Sequence, residues 1–406
     1  MALQRERDCS SGERVGSPNA PASTVSDPIA ALLAELVRVP SVNPMLGGSG
    51  EAALARWVGE WLRATGAEVE LQPVHGERCN VIAAIGPANA PALLLEAHLD
   101  TVAPAGEWTR DPFTPVVQDG RLYGLGACDT KGSLATFLHL FAELARAPQR
   151  LRRRLVLAAT VDEEVGQTGA YALMRKDLTL RGAFVGEPTD CRVVHAHKGF
   201  VRFRVETTGR AAHSSRPEQG DNAIERMSGV VQWFREYART LAQRPCHGAL
   251  GRPTVNVGTI AGGVGVNTVP DRCVIQVDRR TVPGETLADV QAELAALGAI
   301  EPSARIFEVL ERPAVHTPAE APLVRQLVQT LQACGEPAGL EAVPYLTNAV
   351  AYAAAGVPVV VFGPGDLTQA HRPDEFIQLA ELERCARVLR PLLERELTSS
   401  ESELFS

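Results

Sequence analysis

The chain has no C-x-x-C pair among its eight cysteines, which stand apart at positions 9, 79, 128, 191, 246, 273, 334 and 385. That spacing disfavours a thiolate zinc site, and scattered single cysteines suit a reducing compartment. There is no run of the ~18 apolar residues that a membrane-spanning helix needs. The first 26 residues hold no apolar stretch of the kind a secretory signal carries. There is no basic tract either: 40 Lys and Arg are interspersed with 48 Asp and Glu, for a net charge of −8. Nucleic acid and anionic membranes are therefore set aside as partners. Aromatic residues make up only 5%, which argues against a deep aromatic-lined pocket. Several catalytic signatures are missing as well. No G-x-S-x-G elbow and no H-E-x-x-H is present, Gly124-Leu125-Gly126-Ala127-Cys128 continues to Asp129 where a dinucleotide fingerprint needs Gly, and Lys131-Gly132-Ser133 has the P-loop letters in the wrong order.

What is present is a globular composition, 45% hydrophobic and 22% charged, over 406 residues. That length exceeds one ordinary hydrophobic core and predicts two domains. The polar residues 1–26 read as a disordered tail of a cytoplasmic protein. Ser26-Asp27-Pro28 opens a helix through about Arg38. A helix over Glu51–Thr65, strands at Cys79–Ile85 and Ala92–Leu95, a helix from Lys131, a strand from Arg154, a helix from Thr168 and a strand from Ala183 follow. Strands apolar on both faces that alternate with helices signal a layered α/β domain. At about His197 the texture changes. Phe200–Thr207 alternates apolar and charged residues, and the order β-α-β-β-α-β up to Leu310 is that of a ferredoxin-like α+β sandwich. After about Pro313 the first texture returns, ending in a helix over Glu375–Leu397. The expected organisation is a tail (1–26), a catalytic domain in two parts (27–196 and 313–406) and an inserted domain (197–312).

Metal-competent side chains recur beyond the apolar strands. His98 and Asp100 follow LLLEA, Asp129 follows GLGAC, Glu163 and Glu164 follow LVLAATVD, Glu187 follows AFVG, and His371 lies in GPGDLTQAHRPDE. Open α/β sheets collect ligands at the carboxyl ends of their strands. Two histidines and several carboxylates without cysteine form an N/O donor set that suits zinc, cobalt or manganese. Each residue also has a structural reading: a strand-end histidine in the core, Asp162-Glu163-Glu164 as a solvated turn, Asp129 as the cap of the helix that follows it.

The blocks HLDTVAP (98–104), DPFTP (111–115), LYGLGACDTKG (122–132), TVDEEVGQTGA (160–170), GEPT (186–189), GRAAHSSRPEQGDNAI (209–224), VNTVPDRC (266–273) and GPGDLTQAHRPDEF (363–376) stand in the order and spacing of a known family. From about residue 27 onward the chain resembles the co-catalytic zinc aminoacylases and carboxypeptidases. The resemblance implies a zinc-exopeptidase-like α/β catalytic domain with an inserted ferredoxin-like lid and dimerisation domain, working as a homodimer. It implies two Zn2+ per chain, with Co2+ or Mn2+ as substitutes. His98 and Glu187 would hold one ion, Glu164 and His371 the other, and Asp129 would bridge them. Asp100 would take a hydrogen bond from the free ring nitrogen of His98. Glu163 would be the general base. His213 would reach a partner subunit's site and steady the oxyanion. Asn267 and Arg280 would touch substrate, Arg280 at its carboxylate, with a structural salt bridge as the equal alternative.

Within that family GPGDLTQAHRPDEF, DPFTP and HSSRPEQGDNAI look most like acetylornithine deacetylase, an enzyme of arginine biosynthesis. The implied reaction is removal of the acyl group from a small N-acyl amino acid. A dipeptidase, a carboxypeptidase or a succinyl-diaminopimelate desuccinylase with the same site are the alternatives, and a non-catalytic amino-acid-binding relative comes last. Asn348 departs from the acid that such relatives carry there. If that acid reads a cationic side chain, Asn348 would weaken selection for ornithine.

Overall fold

Asp27 caps the first helix, its carboxylate accepting from the backbone N–H of Ile29, and Pro28 occupies the first helical position. Pro28–Arg38 then buries Ile29, Leu32, Leu33, Leu36 and Val37 on one face, the spacing expected of an amphipathic helix. The computed structural model describes residues 27–399; the expected tail, residues 1–26, lies outside them.

A nine-stranded sheet organises the larger body. Its centre is four parallel strands in the spatial order Arg154–Thr160, Ala92–His98, Leu180–Val185 and Val359–Val361. Ala92–His98 is buried at every position, as a strand covered on both faces must be. Helices Pro28–Arg38, Ala52–Arg63, Lys131–Ala145, Pro322–Ala333 and Leu379–Thr398 supply one core. The shorter helices Thr168–Met174 and Ala349–Ala354 cover the opposite face. Parallel pairing brings the carboxyl ends of all four central strands to one edge. That edge carries His98, the Asp162–Glu164 turn, Glu187 and the loop that leads to His371.

Between strands Val193–His197 and Val315–His316 of this sheet, the chain builds a second sheet of four antiparallel strands. Its order is Thr254–Gly262, Arg272–Thr281, Gly199–Thr208 and Arg305–Arg312. Helices Ala223–Ala242 and Leu287–Leu294 pack on one face around Phe203, Val205, Met227, Phe234 and Ile275. This is the ferredoxin-like order expected from sequence, inserted into the α/β body.

Two element readings are corrected. The last helix starts at Leu379, not Glu375, because Phe376–Gln378 pairs as a strand with Arg121–Tyr123. The second helix of the β-α-β-β-α-β order falls into two pieces, Leu287–Leu294 and Leu297–Ile300. The strands Glu68–His75 and Leu340–Val343 were not expected. The first is only half-buried, and the second is a four-residue strand.

His197 ends a strand of the large sheet, fully buried. Its Nδ1 lies 2.8 Å from the Lys198 carbonyl, and its Nε2 has no partner among the described residues. Burial lowers its pKa to about 4, against about 6.5 in an unfolded chain. Between those values the unfolded chain binds the extra proton, so stability is full above about pH 6.5 and falls as pH drops towards 4. The expected loss is about 3 kcal/mol. Urea midpoints at pH 7 and pH 4.5 check this: His197→Gln should flatten the difference, and an unchanged pH slope would refute it.

Candidate metal centre

Four loops and one strand end place six acidic and imidazole side chains together. His98 is the last residue of its strand and is fully buried. Its Nε2 lies 3.3 Å from Asp129 Oδ1 and 3.9 Å from Glu187 Oε2. His371, half-exposed, has its Nε2 3.4 Å from Asp129 Oδ2 and 3.2 Å from Glu164 Oε2. Two three-residue groups result, His98–Asp129–Glu187 and Asp129–Glu164–His371, and they share Asp129. The two oxygens of Asp129 point to different histidines, the disposition a bridging carboxylate needs. Glu163 is buried beside them.

Electrostatics tests whether these residues fit a cation. Burial pushes the Glu187 and Glu163 carboxyls well above the usual range, and the neighbouring carboxylates push the same way. Burial and Asp129 raise Glu164 likewise. Asp129 is held low: its hydrogen bonds to His371 and His98 outweigh burial. His371 rises to about 10 through the same bonds to Asp129 and Glu164. A crowded, buried set of carboxylates is costly without a compensating charge, and a bound divalent cation reverses that local balance. The N/O donors, their burial and the shared carboxylate fit a pair of such ions.

Asp100 is corrected. His98 Nδ1 lies 2.9 Å from the backbone carbonyl of Asp100, whereas the nearest contact to the Asp100 carboxylate is 3.7 Å. The carboxylate instead accepts from the backbone N–H of Glu163 at 2.9 Å and of Glu164 at 3.1 Å, and from Asn43 Nδ2 at 2.8 Å. It therefore holds the turn that carries both glutamates. That turn is not solvated. Asp162, at φ 70°, accepts from Asn43, Arg78 and Thr168, and Glu51 takes up its backbone N–H. Asp129 does not cap its helix; Thr130 is the cap residue, and its hydroxyl donates to the Gly186 carbonyl beside Glu187.

Glu375 was missed by sequence reasoning. Its buried carboxylate accepts from the backbone N–H groups of Gly126, Cys128 and Asp129 at 2.8, 2.8 and 3.0 Å. It fixes the loop that presents Asp129. Its only sequence signal was its place in HRPDEF. Gly363 allows close approach of two ligand loops: a Cβ there would lie 2.6 Å from the Glu187 carbonyl. Asn348 is fully buried and donates to Glu96 Oε1 at 3.0 Å and Thr160 Oγ1 at 3.1 Å.

The insertion carries the remaining residues, His213 and Asn267 in its loops and Arg280 on strand Arg272–Thr281. His213 is exposed, with Nδ1 2.8 Å from Ser215 Oγ. Asn267 lies beside it, its carbonyl accepting from the Ser214 N–H at 3.0 Å. Among the described residues no hydrogen bond or ion pair joins either to the carboxylate cluster. Arg280 pairs with Asp278 at 2.7 Å, the salt bridge the sequence left as its alternative role.

The chain matches the model of peptidase family M20/M25/M40 over residues 94–395. Acetylornithine deacetylase of Erwinia tasmaniensis is 38% identical over 85% of this chain and 92% of its own. The enzyme of that name from Edwardsiella ictaluri is 36% identical over 86% and 92%. Among solved structures, an M20 metallo-carboxypeptidase from Sulfolobus solfataricus superposes with a TM-score of 0.73 at 20% identity, covering 91% of this chain and 99% of that one. An aminopeptidase from Bacillus cereus gives 0.71 at 22%, covering 90% and 97%. With its carboxylate-and-histidine centre at the strand ends, the chain belongs to peptidase family M20/M25/M40 and is a metal-dependent hydrolase of the deacylase or peptidase kind.

Proposed function

We propose that this protein removes the acyl group from a small N-acyl amino acid, with N-acetylornithine as the preferred substrate. The observation that carries the reading is the pair of ligand groups sharing Asp129, with Glu163 buried beside them and outside both. Full-length similarity to acetylornithine deacetylases supports the substrate class. In this reading His98 and Glu187 hold one zinc, Glu164 and His371 the other, and Asp129 lies between. When bound, such ions polarise the scissile carbonyl and lower the pKa of water; cobalt or manganese would substitute.

The chain's own residues do the rest. Glu163 takes the proton from the attacking water and delivers it to the leaving amine. Asp100 keeps Glu163 and Glu164 at fixed positions through their backbone N–H groups. His213 donates to the oxyanion, and Asn267 borders the same loop. Arg280 meets the substrate carboxylate when it exchanges out of its pair with Asp278. The insertion, residues 197–312, acts as the lid on a catalytic body of residues 27–196 and 313–406. Its exposed edge strand Thr254–Gly262 suits pairing of two copies in a cytoplasmic homodimer.

Metal-stripped protein should be inactive. Restored with zinc or cobalt, it should cleave N-acetylornithine faster than N-acetylmethionine, N-succinyl-diaminopimelate or a dipeptide. Fastest cleavage of the dipeptide would make it a peptidase. No cleavage with both ions bound would favour a binding protein or a substrate outside this set.

A further inference from the structure

A third of the chain's nine histidines gather away from the carboxylate centre. His195 lies on strand Val193–His197 of the large sheet and His316 on the adjoining strand Val315–His316. Their ring centres are 5.4 Å apart, edge to face. His247 comes from the insertion, in the turn after helix Ala223–Ala242, and its ring centre is 6.0 Å from that of His316. The trio sits over a seam where Leu250 and Val282 of the insertion pack against Ala196 and Ala342 of the large sheet.

Three features suit a metal ion here. His195 Nδ1 lies 2.8 Å from the Thr317 carbonyl. A carbonyl only accepts, so Nδ1 carries the proton and Nε2 keeps a free lone pair. Second, zinc–nitrogen bonds of about 2.1 Å in tetrahedral geometry set the ring centres of two ligands about 5 Å apart. The observed separations, 5.4 and 6.0 Å, are slightly wider, so binding an ion requires the exposed His316 and half-buried His247 to turn towards His195. Third, all three donors are imidazoles, which select zinc, nickel, cobalt or copper over magnesium and calcium.

We propose that His195, His247 and His316 form a second transition-metal site that ties the insertion to the large sheet. An ion there links residue 247 of one body to residues 195 and 316 of the other. It restrains any movement of the lid, so excess zinc or nickel slows turnover without displacing the ions of the carboxylate centre. Domain closure is a common rate-setting step in hydrolases with lids.

The test is equilibrium dialysis of the metal-loaded protein against rising nickel, with metal counted per chain. Wild type should take up one equivalent more than His247→Ala or His316→Ala, whatever the carboxylate centre holds. Both variants should keep wild-type activity at low metal and escape the slowing at high metal. His316→Gln covers the case in which alanine disturbs the short edge strand. An equal count in wild type and all variants would overturn the site. A count lower by one in the variants, with undiminished slowing by excess metal, would overturn the restraint on the lid.

Discussion

Glu163→Gln is expected to lower kcat by about 10²–10⁴ while metal content stays at the wild-type value. Glutamine keeps the volume and the backbone N–H that Asp100 holds at 2.9 Å, so the turn is preserved and only the ability to carry a proton is lost. The contrast with its neighbour is what makes the test specific. Glu164 Oε2 lies 3.2 Å from His371 Nε2, inside one ligand group, whereas Glu163 belongs to neither. Glu164→Gln should therefore reduce metal content, read by elemental analysis. Metal loss in Glu163→Gln would exchange the two roles, and an unchanged kcat would remove Glu163 from proton transfer.

Glu375→Ala is expected to destabilise the protein by roughly 3–6 kcal/mol and to empty both ligand groups. Three buried backbone N–H groups lose their acceptor, and each unsatisfied donor costs about 1–3 kcal/mol. The loop they belong to carries Asp129, the one residue common to both groups, so its displacement affects both ions together. A single-ligand variant such as His98→Ala should affect one. Urea midpoints and metal counts on the same preparations separate the effects. Full metal content with a wild-type midpoint would show that the loop holds its shape without Glu375.

Much of this centre was legible beforehand. His98, Glu164, Glu187 and His371 follow apolar strands, and parallel strands deliver their ends to one edge whatever their spatial order, whereas Asp129 comes from the loop before helix Lys131–Ala145. The insertion was legible from the alternation in Phe200–Thr207, because a one-sided sheet leaves period-two texture in the chain. Less visible were the residues that hold these groups. Glu375 and Asp129 are 246 positions apart, and Asn348 and Glu96 252. No local period records such pairs. Asp100 shows the same limit at short range. Its place two residues after His98 suggested a carboxylate–histidine bond, but the geometry gave that bond to its own carbonyl and turned the carboxylate to the glutamates.

The sequence alone determined the donor chemistry and the two-sheet architecture, since these follow from residue type and strand periodicity; the kind of reaction came from the resemblance of its sequence blocks to a known family. Only the tertiary structure decided that the Asp100 carboxylate holds the glutamate turn, that Asn348 is buried against Glu96, and that His195, His247 and His316 gather beside one another. Those outcomes depend on strand order and on what each side chain is buried against, and packing between distant segments sets both.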